Sequence, residues 1–236
     1  HENEIAQSEC ANGCTFANYW LHNGFLTIDN QKMSKSAGNF FMVRDAAKEF
    51  GYETIRMFML SAHYRTPLNY SAESLKMNKT SLERLYESRN NLEFRISKAG
   101  GDAMAPDEES KLSALGQYRE HFIAAMDDDL NTADALSSIF ELVREINAYM
   151  GAHQDASRAF LSGAHALLME LAGVLGLVQQ REDSGIDAEI EDLIAQRAAA
   201  KKNRDFAEAD RIRDYLLNEK GIVIKDTRQG TQWSRV

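Results

Sequence analysis

From Ser71 to Leu175 apolar residues recur every three or four positions, and this recurrence restricts the fold more than any other feature of the chain. Leu75, Leu82, Leu85, Leu92 and Ile96 lie on one stripe. Gly100-Gly101 and Pro106 interrupt it. Leu112, Leu115, Tyr118, Phe122 and Met126 make the next stripe, and Asp127-Asp128-Asp129 ends it. Asn131 or Thr132 is suited to cap a further helix, whose core face is Leu136, Ile139, Phe140, Val143, Ile146 and Met150. A fourth helix carries Phe160, Leu161, Leu167, Leu168, Leu171, Val174 and Leu175. Stripes of this kind joined by short breaks predict an antiparallel helical bundle over 71–180. With two prolines in 236 residues, little interrupts such helices.

The flanks read differently. Residues 1–40 mix short apolar runs with Gly and Asn. Phe25-Leu26-Thr27-Ile28 predicts a short strand and Asp29-Asn30 a turn. Phe40 to Val43 is again strand-like, and Arg44 to Phe50 is a helix stopped by Gly51. Glu53 to Ser61 is a second short helix. Gln179 to Ser184 is a polar linker. Two helices, at about 187–202 and 205–219, then lead to Gly221. Ile222-Val223-Ile224 and Thr231-Gln232-Trp233 predict a small hairpin with Gly230 near its turn.

A net charge of −9 does not exclude a nucleic-acid partner, because binding follows local charge. From residue 195 onward ten basic residues face six acidic ones, a local balance of +4. That module suits phosphate contact, although a charged two-helix surface is an equally good account of charge alone. The two cysteines, Cys10 and Cys14, imply no disulfide framework and fit a reducing compartment. Spaced i,i+4, they would share a face if helical, but two thiols without a His pattern are a weak half-site. No run of about 18 apolar residues exists, so no membrane span is expected. No signal-peptide pattern is visible. The chain opens at His1 without Met and enters dense sequence at once, as expected of a fragment cut within a domain.

One segment carries chemistry. Lys32-Met33-Ser34-Lys35-Ser36 is a cationic loop whose hydroxyls and backbone N–H groups can also donate to phosphate. Two lysines alone would more often be a solvated basic turn. A chance match to one specified pentamer in a chain this long is on the order of one in ten thousand. This string is the signature of class I aminoacyl-tRNA synthetases, which the chain resembles. The resemblance implies that the loop holds ATP while an amino-acid carboxylate attacks the α-phosphate. Lys35 is then the direct ATP contact and Lys32 the supporting one, with Met33, Ser34 and Ser36 completing the loop. Both lysines would stabilise charge on the departing pyrophosphate, with loop closure as a gate.

The flanking blocks resemble the bacterial cysteinyl-tRNA synthetases. His1-Glu2-Asn3-Glu4-Ile5-Ala6-Gln7 is close to the family's His-His-Glu-Asn-Glu-Ile-Ala-Gln. Asn18-Tyr19-Trp20 with His22, Gly38-Asn39-Phe40, Arg44-Asp45 and Glu53-Thr54-Ile55-Arg56 follow in order. So do His63-Tyr64-Arg65, Leu68-Asn69-Tyr70 and Asp127 to Thr132. The fold this implies is mostly α. A remnant of a class I Rossmann-type catalytic domain (1–50) precedes a connecting stem (51–70) and the bundle (71–180), which would dock tRNA. A small α+β anticodon-binding domain (187–236) completes it. Arg56 would pack or dock at the junction with the catalytic core.

That family binds a Zn2+ that takes the substrate thiolate, and zinc supplies specificity because serine offers no comparable ligand. Glu4 matches the family's Glu ligand; the matching His would precede His1, and Cys10 and Cys14 do not match its cysteines. Arg204 to Asp210, Arg213, Asp226, Gly230 and Trp233 match the anticodon-binding end. By resemblance Asp210, Arg213 and Asp226 read base edges, and Phe206 stacks where the family usually has Trp, while Lys201 belongs to the basic surface. The implied activity is ATP-dependent cysteine–tRNA ligation, with tRNA-Cys, ATP, L-cysteine and Mg2+, in a cytoplasmic monomer without a membrane partner. The fragment by itself is expected not to form the adenylate. Two alternatives are a non-catalytic tRNA-binding module and a ligase joining cysteine to an amino-sugar in the mycothiol pathway. The anticodon-like tail argues against the second.

Overall fold

The computed structural model describes residues 1–29, 31–33, 42–179, 184–203, 205–227 and 230–235. It is mostly helical, with a bundle between two small sheet-bearing units.

In the first unit β1 (Leu26–Ile28) lies between β2 (Gln31–Lys32) and β3 (Leu68–Tyr70). β1 and β2 are antiparallel, with Thr27 opposite Lys32. β1 and β3 are parallel, with Thr27 opposite Asn69. A parallel pair needs a crossover, supplied here by α2 (Val43–Phe50) and α3 (Tyr52–Leu60). Phe50 and Phe58 of the crossover cluster with Leu75, which follows β3, and pack against Leu26, Ile55, Leu68 and Tyr70. A helix α1 (Glu2–Asn12) precedes the sheet and buries none of its residues.

The bundle contains α4 (Ala72–Lys98), α5 (Pro106–Leu115), α6 (Gln117–Asp127), α7 (Thr132–Ala152) and α8 (Arg158–Val174). Its core includes Leu85, Leu92, Ile139, Leu142, Ile146, Phe160 and Leu168, all fully buried. Each such side chain contributes roughly 1.5–3 kcal/mol by leaving water. The starts of the helices are set by side chains. Ser71 Oγ accepts from the Ser74 N–H at 3.1 Å while Ser74 Oγ accepts from the Ser71 N–H at 3.0 Å, a closed capping box. Asn131 Oδ1 caps α7 through the Asp134 N–H at 3.2 Å. Glu108 accepts from the Ala105 and Ser157 N–H groups at 3.0 and 2.7 Å and so ties the start of α5 to the start of α8. Burial pushes its carboxyl up, but the bonds to Ser157 and Ala105 outweigh that and hold it below its ordinary value.

The last unit is α9 (Ser184–Lys202), α10 (Phe206–Lys220) and a hairpin of β4 (Ile222–Thr227) with β5 (Gly230–Arg235). Ile190, Ile212, Leu216 and Ile222 form its own core, with Trp233 packed against it. Gly221 caps α10 at φ +64°, donating to the Leu216 carbonyl.

Four local expectations change. Residues 2–12 are helical, although they have no apolar stripe from which to read a helix. Cys10 lies on α1, but Cys14 lies beyond Gly13, where φ is +66° and the helix ends, so the two thiols do not share a helix face. Val43 opens α2 rather than ending a strand, and Phe40 and Phe41 lie outside the described residues. The stripe from Leu112 to Met126 spans two helices, because the chain turns at Gly116.

Candidate functional site

The lysine loop leaves the sheet at its edge. Lys32 is the last residue of β2, held in register opposite Thr27. Met33 follows it; Ser34, Lys35 and Ser36 lie outside the described residues. The strand beneath is fixed in several ways. Thr27 Oγ1 donates to the Leu68 carbonyl at 3.3 Å and lies 3.1 Å from Asn69 Oδ1. The Asp29 N–H donates to the Tyr70 carbonyl at 3.2 Å, and Asp29 takes a left-handed φ of +49° at the turn into β2. Gly24 enters the strand with its N–H on the Tyr64 carbonyl at 2.7 Å. A Cβ there would sit 2.5 Å from the Thr66 carbonyl carbon, so only glycine permits this approach.

The structure joins two sequence blocks that lie far apart in the chain. Asp129, at φ +55°, accepts from the Tyr64 hydroxyl at 2.9 Å and pairs with Arg65 at 2.5 Å; His63 Nε2 lies 3.8 Å away. Thr132 Oγ1 donates to the Leu60 carbonyl at 2.9 Å. Glu53 accepts from the Tyr86 hydroxyl at 2.6 Å and from the N–H groups of Val178 and Gln179. These bonds clamp α3 and the segment after it onto the bundle, at the α6–α7 turn, at α4 and just beyond α8. Arg56 is exposed in a shallow groove of about 610 Å³ beside Tyr52, Met59 and Gly176.

Zinc does not fit the donors that the described residues bring together. Glu4 lies 3.0 Å from His1 Nδ1, on the exposed α1. Cys10 and Cys14 are free, exposed thiols. Among the described residues no three or more His, Cys, Asp or Glu side chains gather as a metal would require.

The C-terminal unit presents a more developed surface. Phe206, Asp210 and Arg213 are spaced by four and three residues, so α10 carries them on one face. All three are exposed, Phe206 to 62%. Arg213 pairs with Asp210 at 3.3 Å and with Asp214 at 3.4 Å. On the neighbouring helix, Lys201 Nζ meets Asp226 Oδ2 of β4 at 2.6 Å. Asp226 is not a bare acceptor: Arg197 grips both its oxygens, and Thr231 Oγ1 donates to it at 2.8 Å. Arg197 and then Lys201 hold its carboxyl well below the usual carboxylate range, against the opposing effect of burial. In the sequence Arg197 is only one of the ten basic residues from position 195 onward. Its partner is 29 residues away on another element, and only the i,i+4 spacing of Arg197 with Lys201 hinted at a shared face.

Three family models match in order along the chain. They are the class I (C) tRNA synthetase catalytic domain over residues 1–80, the DALR domain over 121–179, and the cysteinyl-tRNA ligase anticodon-binding domain over 183–233. Curated relatives named cysteine–tRNA ligase are 52% identical in Symbiobacterium thermophilum and 48% identical in Clostridioides difficile, each over 236 residues. All of this chain is covered in both cases, and the chain spans about half the length of these relatives (50%). Among solved structures, the LeuRS of Agrobacterium radiobacter K84, in a ternary complex with tRNA and LeuAMS, aligns with a TM-score of 0.53 at 24% identity. That alignment covers 64% of this chain and 20% of the other, and it supports the fold alone.

Proposed function

We propose that this chain, which belongs to the cysteinyl-tRNA synthetase family, is the part of an ATP-dependent cysteine–tRNA ligase that carries the lysine loop, docks the tRNA and reads its anticodon. The observation that carries the proposal is the ordered match of catalytic, DALR and anticodon-binding models along one chain whose relatives are cysteine–tRNA ligases. The units assigned to these tasks are residues 1–50 with the loop, 51–70 as connecting stem, 71–180 as docking bundle and 187–236 as anticodon module.

In the proposed reaction the carboxylate of L-cysteine attacks the α-phosphate of ATP, and pyrophosphate leaves. Lys32 and Lys35 stabilise the charge on the leaving group, and Met33, Ser34 and Ser36 complete the ATP loop. The position of Lys32 supports this assignment, because it ends an edge strand whose backbone is held in register by β1. Mg2+ would accompany ATP. Among the described residues no metal-binding cluster forms, and Glu4 would be one contributor to a zinc centre completed by other residues. The terminal ribose of tRNA-Cys then takes the cysteinyl group. A cytoplasmic monomer remains part of the proposal; no helix among the described residues is long and apolar enough to cross a membrane. The amino-sugar reading loses ground to the C-terminal module, which a small acceptor does not need.

The RNA part is tested by measuring tRNA-Cys binding to this chain with Lys201, Lys202 and Arg213 each changed to Glu. Affinity is expected to fall and its salt dependence to flatten. Unchanged affinity would contradict the placement of the surface. This chain alone is also expected to give no cysteine-dependent ATP–pyrophosphate exchange; clear exchange would contradict that expectation.

A further inference from the structure

Arg197 is charged yet buried, with 6% of its surface exposed. Its two Nη groups meet the two oxygens of Asp226 at 2.9 and 3.1 Å, a bidentate fork. Its Nε has no hydrogen-bond partner. A buried guanidinium with an orphaned donor is costly to keep, and an apolar side chain would serve packing alone at this position. Asp226 also takes Lys201 on Oδ2 and Thr231 on Oδ1. One carboxylate therefore faces two cations. Arg197 is the enclosed member of the three, while the side chains of Lys201 and Asp226 are 41% and 49% exposed.

We propose that Arg197 is a positioning residue for RNA recognition: it holds and neutralises Asp226 from beneath, so that the half-exposed Lys201 can exchange Asp226 for an RNA phosphate and thereby open its side of Oδ2 to a base. The proposal rests on reading the C-terminal unit as an anticodon module. The enclosed Arg197 side chain does not itself touch the RNA. Its effect runs through charge: Arg197, Lys201 and Asp226 together carry one net positive charge, and without Arg197 Lys201 would be the sole cation on Asp226 and would be held there, which withdraws it from the RNA-facing surface.

The test uses this chain, a tRNA-Cys transcript and the same transcript with an altered anticodon, each titrated at several salt concentrations. The variants are Arg197→Met, which keeps the length and removes the charge, and Arg197→Lys, which keeps the charge and loses the fork. Arg197→Met is expected to weaken cognate binding about tenfold and to narrow the gap between the two transcripts. It should also lower the slope of log affinity against log salt by about 0.7, one single-strand phosphate contact, although the enclosed residue meets no phosphate. Arg197→Lys is expected to keep the slope and lose part of the anticodon preference. Wild-type affinity, slope and preference in Arg197→Met would overturn the proposal, as would an equal loss on both transcripts with an unchanged slope. If amide exchange shows β4 unprotected in Arg197→Met, Arg197→Lys decides: a reduced preference supports the role, and an unchanged one overturns it. A wild-type chain that binds both transcripts equally would overturn the anticodon reading and this role with it, and that arm alone tells the two failures apart.

Discussion

Asp226 is where single-residue chemistry is most concentrated. Arg197, Lys201 and Thr231 converge on one carboxylate and lower its pKa. Its folded value lies below its unfolded one, near 3.9 for a free Asp side chain. Such a group stabilises the fold above the unfolded pKa, and that contribution is lost as pH falls below about 4 toward the folded value. Acid should therefore loosen the hairpin from α9. The protection of the Ile222 to Thr227 amides, taken relative to the intrinsic exchange rate at each pH, is expected to fall from pH 6 to pH 3 in the wild type and to change much less in Asp226→Asn. Equal acid sensitivity of the two proteins would mean that Asp226 is not the responsible group. The contact itself is not visible in the sequence, where Asp226 stands out only as a reader of base edges by resemblance and Arg197 is one charge among many.

At the scale of elements, what could be read depended on whether an element is specified by its own residues. The long bundle helices announce themselves because a buried stripe recurs at helical spacing. The same holds for Ile222 to Ile224 and the capping role of Asn131. Helix α1 buries nothing, so it leaves no stripe to find. Strand β3 is three residues long and exists through its pairing with β1, some forty residues earlier. The link from Asp129 to His63-Tyr64-Arg65 is equally non-local; both blocks were singled out, but not their contact. Gly24 offers a test of the sheet that bears Lys32. In Gly24→Ala the new methyl meets the Thr66 backbone, which must move, at an expected cost of about 1–3 kcal/mol. Thermal melting measures the loss, and β1 amides should exchange faster. An unperturbed Gly24→Ala would mean that the Gly24–Thr66 approach is not tight in solution.

The molecule as a whole has a large bundle core and a separate small core in the C-terminal unit. A unit of about fifty residues is marginally stable, because so small a core buries little surface. Leu216 is fully buried there, and Leu216→Ala is expected to cost about 2–5 kcal/mol, enough to unfold the unit. The bundle transition should stay where it is, and tRNA binding should drop. If the bundle melts with it, the two cores are one cooperative system. Residue patterns made the division into a helical middle and two mixed ends legible; the lysine pentamer made the synthetase class legible, and the flanking blocks and the tail the family. The residues expected at ATP could be placed only as far as Met33, because Ser34 to Ser36 lie outside the described residues.

The most direct test of the whole account is the binding of fluorescent tRNA-Cys to this chain, compared at fixed salt with a transcript differing only in the anticodon. A single well-read base is worth about 1–3 kcal/mol, so the cognate transcript is predicted to bind about tenfold tighter or better. Equal affinity for the two transcripts would contradict the claim that residues 187–236 read the anticodon.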